Sequence, residues 1–326
     1  MKIAITGASG FIGSNLVRHF AENGHEVVAL LRSPSKATAI DRPRVTVAIG
    51  DVVQRDSLLA AFSGTDAVLH VAALFNNPEA SRSDYIRVNI EGTKNVLEAA
   101  LKQGVGRVIH CSTIGVATGH GSPPYSESTP YSPAPGDKYE MSKCEGEKAA
   151  LDFFQRRGLP VVVLRPAQVY GPGDRSKAKF YRMIRKGIVV IPGTTMKHMI
   201  YVDDLCRAFG LALQKRGAEG EVFIIAGREP IPLRELIEIA AKELGVPAPR
   251  YQLPALPLTL LFALVEKVFN SMHLKPPVFR RSMDFFTKSV AFHTSKAREV
   301  LGFQSDIDVP TGVARTIAWY RENGLL

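Results

Sequence analysis

Gly7, Gly10 and Gly13 divide the start of this 326-residue chain into a strand, a turn and a helix, and no other stretch constrains the fold as tightly. Ile3, Ala4 and Ile5 form a short apolar run of the kind buried in a parallel sheet, and Leu16, Val17 and Phe20 follow the glycines at helical spacing. Gly7 permits the tight turn. Gly10 lets the main chain approach a pyrophosphate, and Gly13 lets the helix pack closely on the strand. Ser9, Phe11 and Ile12 complete the turn, and the helix N-terminus offers free amides to an anion. This order of parts predicts a dinucleotide cradle. A glycine-rich turn without a ligand is the plainer account of the glycines taken alone.

A second apolar run, Glu26 to Leu31, ends at Arg32, about twenty residues beyond the glycines, where an acidic residue would bind a ribose 2′-hydroxyl. Arg32 and Lys36 instead offer cations to a 2′-phosphate, so NADP(H) is expected over NAD(H). The competing account is an arginine that simply faces solvent. The runs 45–49 and 67–71 end in Gly50-Asp51-Val52 and Ala72-Ala73. Ligands of open α/β sheets sit at the carboxyl ends of strands. That places Asp51 and Val52 at the adenine, Ala72 and Ala73 along the cofactor's spine, and Leu74 and Phe75 toward a substrate. Alternatively, Asp51 caps a helix beginning near Asp56.

Residues 85–102 read as a helix carrying Asn89 and Thr93, and 108–113 as a strand ending in two hydroxyls, Ser112 and Thr113. A loop rich in Gly, Pro and Ser follows, from Gly119 to Gly136, and is expected to lie over the site. Tyr139 and Lys143 then open a helix to about Arg157, four apart and so on one face. A strand over 159–164 leads into Arg165-Pro166-Ala-Gln168-Val169, and later residues predict a helix 202–214, a strand 222–226 and helices 232–244, 294–303 and 309–323. This alternation predicts the α/β class, with a Rossmann-type, doubly wound, mainly parallel sheet.

The net charge of +10 favours anionic ligands or acidic surfaces, but no nucleic-acid motif accompanies it, so nucleic acid is not an expected partner. Between Arg175 and Val202 no acidic residue occurs. Phe180, Met183, Ile184 and Ile188 share a helix face there, so this segment is either an amphipathic helix with a solvated basic side or an anion funnel, in which Lys179 and Arg182 meet the substrate. Three scattered cysteines suggest neither disulfides nor a metal site. The apolar stretch 253–269 is too short and too interrupted, by Pro257, to span a membrane; core, pocket wall and peripheral membrane contact remain as its roles. Met1 leads directly into a strand, without a charged and apolar leader, which predicts a cytoplasmic protein.

A dinucleotide cradle, hydroxyls at a strand end and a Tyr-Lys pair suggest proton transfer coupled to hydride transfer. A phenol titrates near pH 10, so it works at neutral pH only when its phenolate is stabilised, and the Lys143 ammonium can do this. Lys143 can also hold the nicotinamide ribose. Thr113 or Ser112 would hydrogen-bond the substrate oxygen.

Together these residues resemble the extended short-chain dehydrogenase/reductase family. Thr6 to Gly13 matches its nucleotide motif, Tyr139 and Lys143 its catalytic motif, and His110 to Thr113 its hydroxyl-bearing strand. Leu164 to Gly173 and Tyr201 to Asp204 are similar to two further family stretches, the first bringing Pro166 and Val169 to the cofactor and Gln168, with Ile114, to the substrate. The resemblance implies a dinucleotide-binding domain over 1–174 with a return at 194–228, and a small C-terminal α/β substrate-binding lobe made mainly of 175–193 and 229–326. It also implies a homodimer through helices 84–103 and 139–157, catalytic roles for Thr113, Tyr139 and Lys143, and a structural place for Asn89 at the cofactor. Family dehydratases carry Asp-Glu where this chain has Ile114-Gly115, and the lead into Tyr201 matches the epimerases loosely. The 3β-hydroxysteroid dehydrogenase and dihydroflavonol reductase branch is nearest. The expected activity is interconversion of a ketone and a secondary alcohol on an apolar or anionic small molecule. The alternatives are a nucleotide-sugar 4-epimerase with tightly bound NAD and a non-catalytic cofactor-binding protein.

Overall fold

The computed structural model describes residues 1–326 except 76, 78, 188–190, 193, 194, 249–251 and 254–284, so most of the apolar stretch 253–269 lies outside the described residues. The chain forms two compact units. The first comprises Met1–Val169, Ile200–Ala226 and His293–Asp306; the second comprises Tyr170–Met199, Gly227–Phe292 and Ile307–Leu326.

Seven parallel strands form the sheet of the first unit: β1 (Lys2–Thr6), β2 (Glu26–Leu31), β3 (Val45–Ile49), β4 (Ala67–His70), β5 (Arg107–Cys111), β6 (Val161–Pro166) and β7 (Val222–Ile225). Their order is β7-β6-β5-β4-β1-β2-β3. The chain winds outward in both directions from β1 and β4, and the carboxyl ends of that pair mark the crevice where open α/β sheets take their ligands. Residues such as Ile3, Ile5, Val68, Leu69, Val108 and Val162 are fully buried, as continuous apolar runs must be when both sheet faces are covered. The covering helices include α1 (Phe11–Glu22), α2 (Arg55–Phe62), α3 (Arg82–Tyr85, then a π turn Ile86–Glu91, then Gly92–Lys102), α4 (Lys138–Arg157) and α5 (Val202–Gln214).

Several boundaries differ from the expected ones for local reasons. β5 stops at Cys111 because the Thr113 hydroxyl accepts the Gly115 amide and starts a 3₁₀ turn, Ile114–Ala117. α3 begins at Arg82 because Ser81 and Asp84 close a reciprocal capping box. In place of a regular helix over 294–303 there is a π segment, Ala297–Leu301, ended by Gly302 at φ +71°. This segment belongs to the first unit, within the 229–326 stretch expected to be mainly a C-terminal lobe. Ser305 donates to Asp204 at 2.7 Å, and Lys296 pairs with Glu221 at 2.7 Å.

In the second unit, helices Ala178–Arg185, Leu233–Leu244 and Val309–Glu322 pack together, with the Tyr181 and Tyr320 rings 5.4 Å apart. The buried face of the first of them is Ala178, Tyr181 and Ile184, whereas the expected one is Phe180, Met183, Ile184 and Ile188, the last of which lies outside the described residues. The stripe is rotated because Tyr181 turns its ring inward, leaving Phe180 and Met183 half-buried. Lys179 and Arg182 are exposed on the outer face. No helix among the described residues is long and apolar enough to cross a membrane, and none of the described His, Cys, Asp and Glu side chains group as a metal site.

Candidate active site

β1 enters the cradle through Gly7, at φ +69°, where a Cβ would stand 2.8 Å from the Ala72 main chain. The Gly10 amide donates to the Gly7 carbonyl at 2.9 Å, and a Cβ on Gly13 would lie 2.1 Å from that carbonyl, so α1 can start this close to β1 only with glycine there. Gly10 is the N-cap of α1, no side chain caps it, and the first turn holds no acidic residue. Ser9 is exposed beside it, and Phe11 and Ile12 are half-buried. An uncapped helix start with no acidic neighbour fits a pyrophosphate.

Around the cradle, Arg32 and Lys36 are exposed, and neither side chain pairs with another described residue. Asp51 does not cap α2, whose N-cap is Gln54; one of its carboxylate oxygens accepts the Val53 amide at 3.2 Å. Val52 is buried, and its carbonyl accepts from Asn95 at 2.9 Å. Ala72 is half-buried and Ala73 exposed. Pro166 is buried at the end of β6, with Gln168 and Val169 half-buried just beyond.

Asn89, expected beside the cofactor, is fully engaged within the protein. Its Oδ1 accepts the Leu74 amide at 2.7 Å, while its Nδ2 donates to the Leu74 carbonyl at 3.1 Å and to the Ser142 hydroxyl at 2.9 Å. The π turn of α3 brings it into this position, where it clamps the segment after β4 to α4.

Asp137 caps α4 by accepting the amides of Tyr139 and Glu140, both at 3.0 Å, which places Tyr139 in the first helical turn. The Tyr139 ring meets Phe75 edge to face, centroids 4.8 Å apart, and Phe75 is 59% exposed beside it. One turn on, Lys143 is 2% exposed and donates to the Cys111 carbonyl at the end of β5, at 2.7 Å. Burial lowers its pKa, with the neighbouring Cys111 and Glu147 opposing that shift. The half-buried Thr113 hydroxyl accepts the Gly115 amide at 3.3 Å. Ser112, the rival hydroxyl, is buried and donates to Glu147. Leu74 and Ile114 are half-buried near these groups in the sequence, whereas Lys179 and Arg182 belong to the other unit.

Glu147, Arg165 and His70 were missed by the sequence reading. The continuation of the Tyr139–Lys143 spacing to Glu147 was the available signal for the first. His70 joins a buried chain: Thr93 donates to the Asn89 carbonyl and so accepts from His70 Nε2 at 3.0 Å, and His70 Nδ1 accepts from Thr6, whose oxygen takes the Ala72 amide at 3.2 Å. This chain ties the ends of β1 and β4 to α3.

Residues 3–226 match the model of the NAD dependent epimerase/dehydratase family. The chain is 28% identical to 3beta-hydroxysteroid-dehydrogenase/decarboxylase isoform 1 of Arabidopsis thaliana, across 96% of this chain and 78% of that protein. It is 29% identical to a dTDP-glucose 4,6-dehydratase of Streptomyces antibioticus, across 99% and 93%. The solved structure of MoeE5 in complex with UDP-glucuronic acid and NAD superposes with a TM-score of 0.77 at 27% identity, covering 99% of this chain and all (100%) of that one.

Proposed function

The chain belongs to the NAD dependent epimerase/dehydratase family, and within it we propose an NAD(P)-dependent oxidoreductase that interconverts a ketone and a secondary alcohol. The observation that carries this reading is the buried Lys143 ammonium, held on the Cys111 carbonyl one helical turn from Tyr139. Tyr139 gives its proton to the carbonyl oxygen in reduction and takes it back in oxidation; the cation beside it favours the phenolate. Thr113 donates to the same oxygen as charge develops on it. The nicotinamide cofactor, when bound in the glycine cradle, supplies or accepts the hydride. Phe75, Leu74 and Ile114 give the substrate an apolar approach, consistent with the hydroxysteroid in the name of one relative.

The exposed Arg32, with Lys36, supports NADP(H) as the preferred cofactor. Fluorescence titration of stripped protein is expected to show exchangeable binding that favours NADPH over NADH, with the preference falling about tenfold or more in Arg32→Ala. Tyr139→Phe should cut ketone turnover by about 10² to 10⁴ while sparing cofactor binding. Near-stoichiometric NAD retained through purification would instead favour a nucleotide-sugar 4-epimerase, the reading that the sugar-nucleotide relatives support.

A further inference from the structure

Glu147 has no part in the chemistry above, yet it is fully buried on α4, one turn past Lys143 and two past Tyr139. Its Oε1 accepts the Tyr131 hydroxyl at 2.8 Å and Arg165 Nη2 at 2.6 Å, its Oε2 accepts the Ser112 hydroxyl, and Arg165 Nε lies 3.1 Å from both oxygens. Arg165, 3% exposed at the end of β6, supplies the cation that lets this carboxylate be buried.

Two consecutive residues of the β5 end are thus tied to α4 at positions four apart. The Cys111 carbonyl takes the Lys143 ammonium, and the Ser112 hydroxyl gives to Glu147. One tie would leave the helix free to roll about it; two fix both rotation and register. The second tie also engages the Ser112 proton, while among the described residues the Thr113 hydroxyl only accepts, from the Gly115 amide.

We propose that Glu147, braced by Arg165, is a positioning residue for the Tyr139–Lys143 pair, locking α4 against the end of β5 and supplying the counter-charge of the Lys143 ammonium. The proposal rests on Tyr139 and Lys143 being the reacting pair and concerns how they are held. Besides Tyr139, the phenol that Lys143 serves, the other titratable groups that act on Lys143 among the described residues are His70 on β4 and His110 and Cys111 on β5. Burial holds both imidazoles neutral and pushes the thiol up to about 11. None of the three carries charge at neutral pH, so Glu147 is the anion that offsets the cost of burying the ammonium.

The test reads the Lys143 ammonium itself and needs neither substrate nor cofactor. In [¹³C]lysine-labelled protein, the Lys143 Cε resonance is identified by its loss in Lys143→Arg and followed with pH. Glu147→Gln is expected to move its midpoint down by about one unit or more. Should that variant fail to fold because Arg165 is left unpaired, Glu147→Gln/Arg165→Met removes both charges together and is expected to move the midpoint the same way. A midpoint that stays at the wild-type value in either folded variant overturns the proposal. Undiminished turnover in Tyr139→Phe would instead overturn the proposed function and leave this measurement standing.

Discussion

Ser112 and Thr113 are adjacent hydroxyls that differ in what lies within reach of each. The buried Ser112 donates to Glu147, whereas among the described residues Thr113 only accepts, from the Gly115 amide, which leaves its proton for the substrate oxygen in the proposed reaction. Thr113→Ala should therefore lower kcat by about 10²-fold with cofactor affinity unchanged, and Thr113→Ser should restore most of it, in steady-state assays on any ketone that the wild type reduces. His70 and His110 carry a second residue-scale prediction. Burial lowers His70 to about 3 and holds His110 well below the ordinary value, so both are neutral in the folded protein. The unfolded chain binds protons first as pH falls below about 6.5, so stability is lost downward from there, for His70 until about pH 3. Each imidazole contributes up to about 1.4 kcal/mol per pH unit in that window. Urea midpoints between pH 7 and pH 5 should show this slope. Neither ring nitrogen of His110 has a hydrogen-bond partner among the described residues, so His110→Leu should stay within about 1 kcal/mol of wild type at pH 7 and flatten the slope by about one proton.

Two glycines in helices behave oppositely because their surroundings differ. A Cβ at Gly13 would lie 2.1 Å from the Gly7 carbonyl, a main-chain atom that cannot yield without moving α1 off β1. A Cβ at Gly210, inside α5, meets nothing within 4 Å. Gly210→Ala is therefore expected to stabilise the protein by about 0.5–1 kcal/mol, the usual helix preference for alanine, whereas Gly13→Ala should destabilise it and abolish nucleotide binding. Chemical denaturation of both variants, with a nucleotide titration of the second, checks the pair. The ends of α3 and α4 follow the same local logic. The Ser81–Asp84 capping box and the Asp137 cap set where those helices begin, and a cap is visible in sequence once the helix face is known.

At the scale of the molecule, Ile86 on α3 and Met141 on α4 are each 39% exposed, apolar side chains on the two helices that the family resemblance assigns to a dimer. Size-exclusion chromatography with light scattering is expected to give a dimer for the wild type and a monomer for Met141→Glu, since an apolar contact does not tolerate a buried unpaired charge. The doubly wound, mainly parallel class of the sheet was readable, because strands alternating with helices admit few right-handed, unknotted windings. The return of His293–Asp306 to the first unit was not readable, because Asp204 is joined to Ser305 and Asp306 across about a hundred residues of sequence that carry no trace of the pairing.

The amino-acid sequence by itself determined what depends on near neighbours: where strands and helices alternate, which residues must be glycine, and that Tyr139 and Lys143 share a face. Periodicity states that a face is buried, not what it is buried against. The tertiary structure therefore decided the rest. It withdrew Ser112 and Asn89 into the protein's own hydrogen bonds and joined Glu147 to Arg165 across 18 positions. It also linked His70 to Thr6 across 64 positions and rotated the Ala178–Arg185 helix onto Tyr181. Each of these outcomes turns on pairing a buried polar or aromatic group with a partner far away in sequence. Burial makes such pairing obligatory, and only the assembled fold chooses the partner.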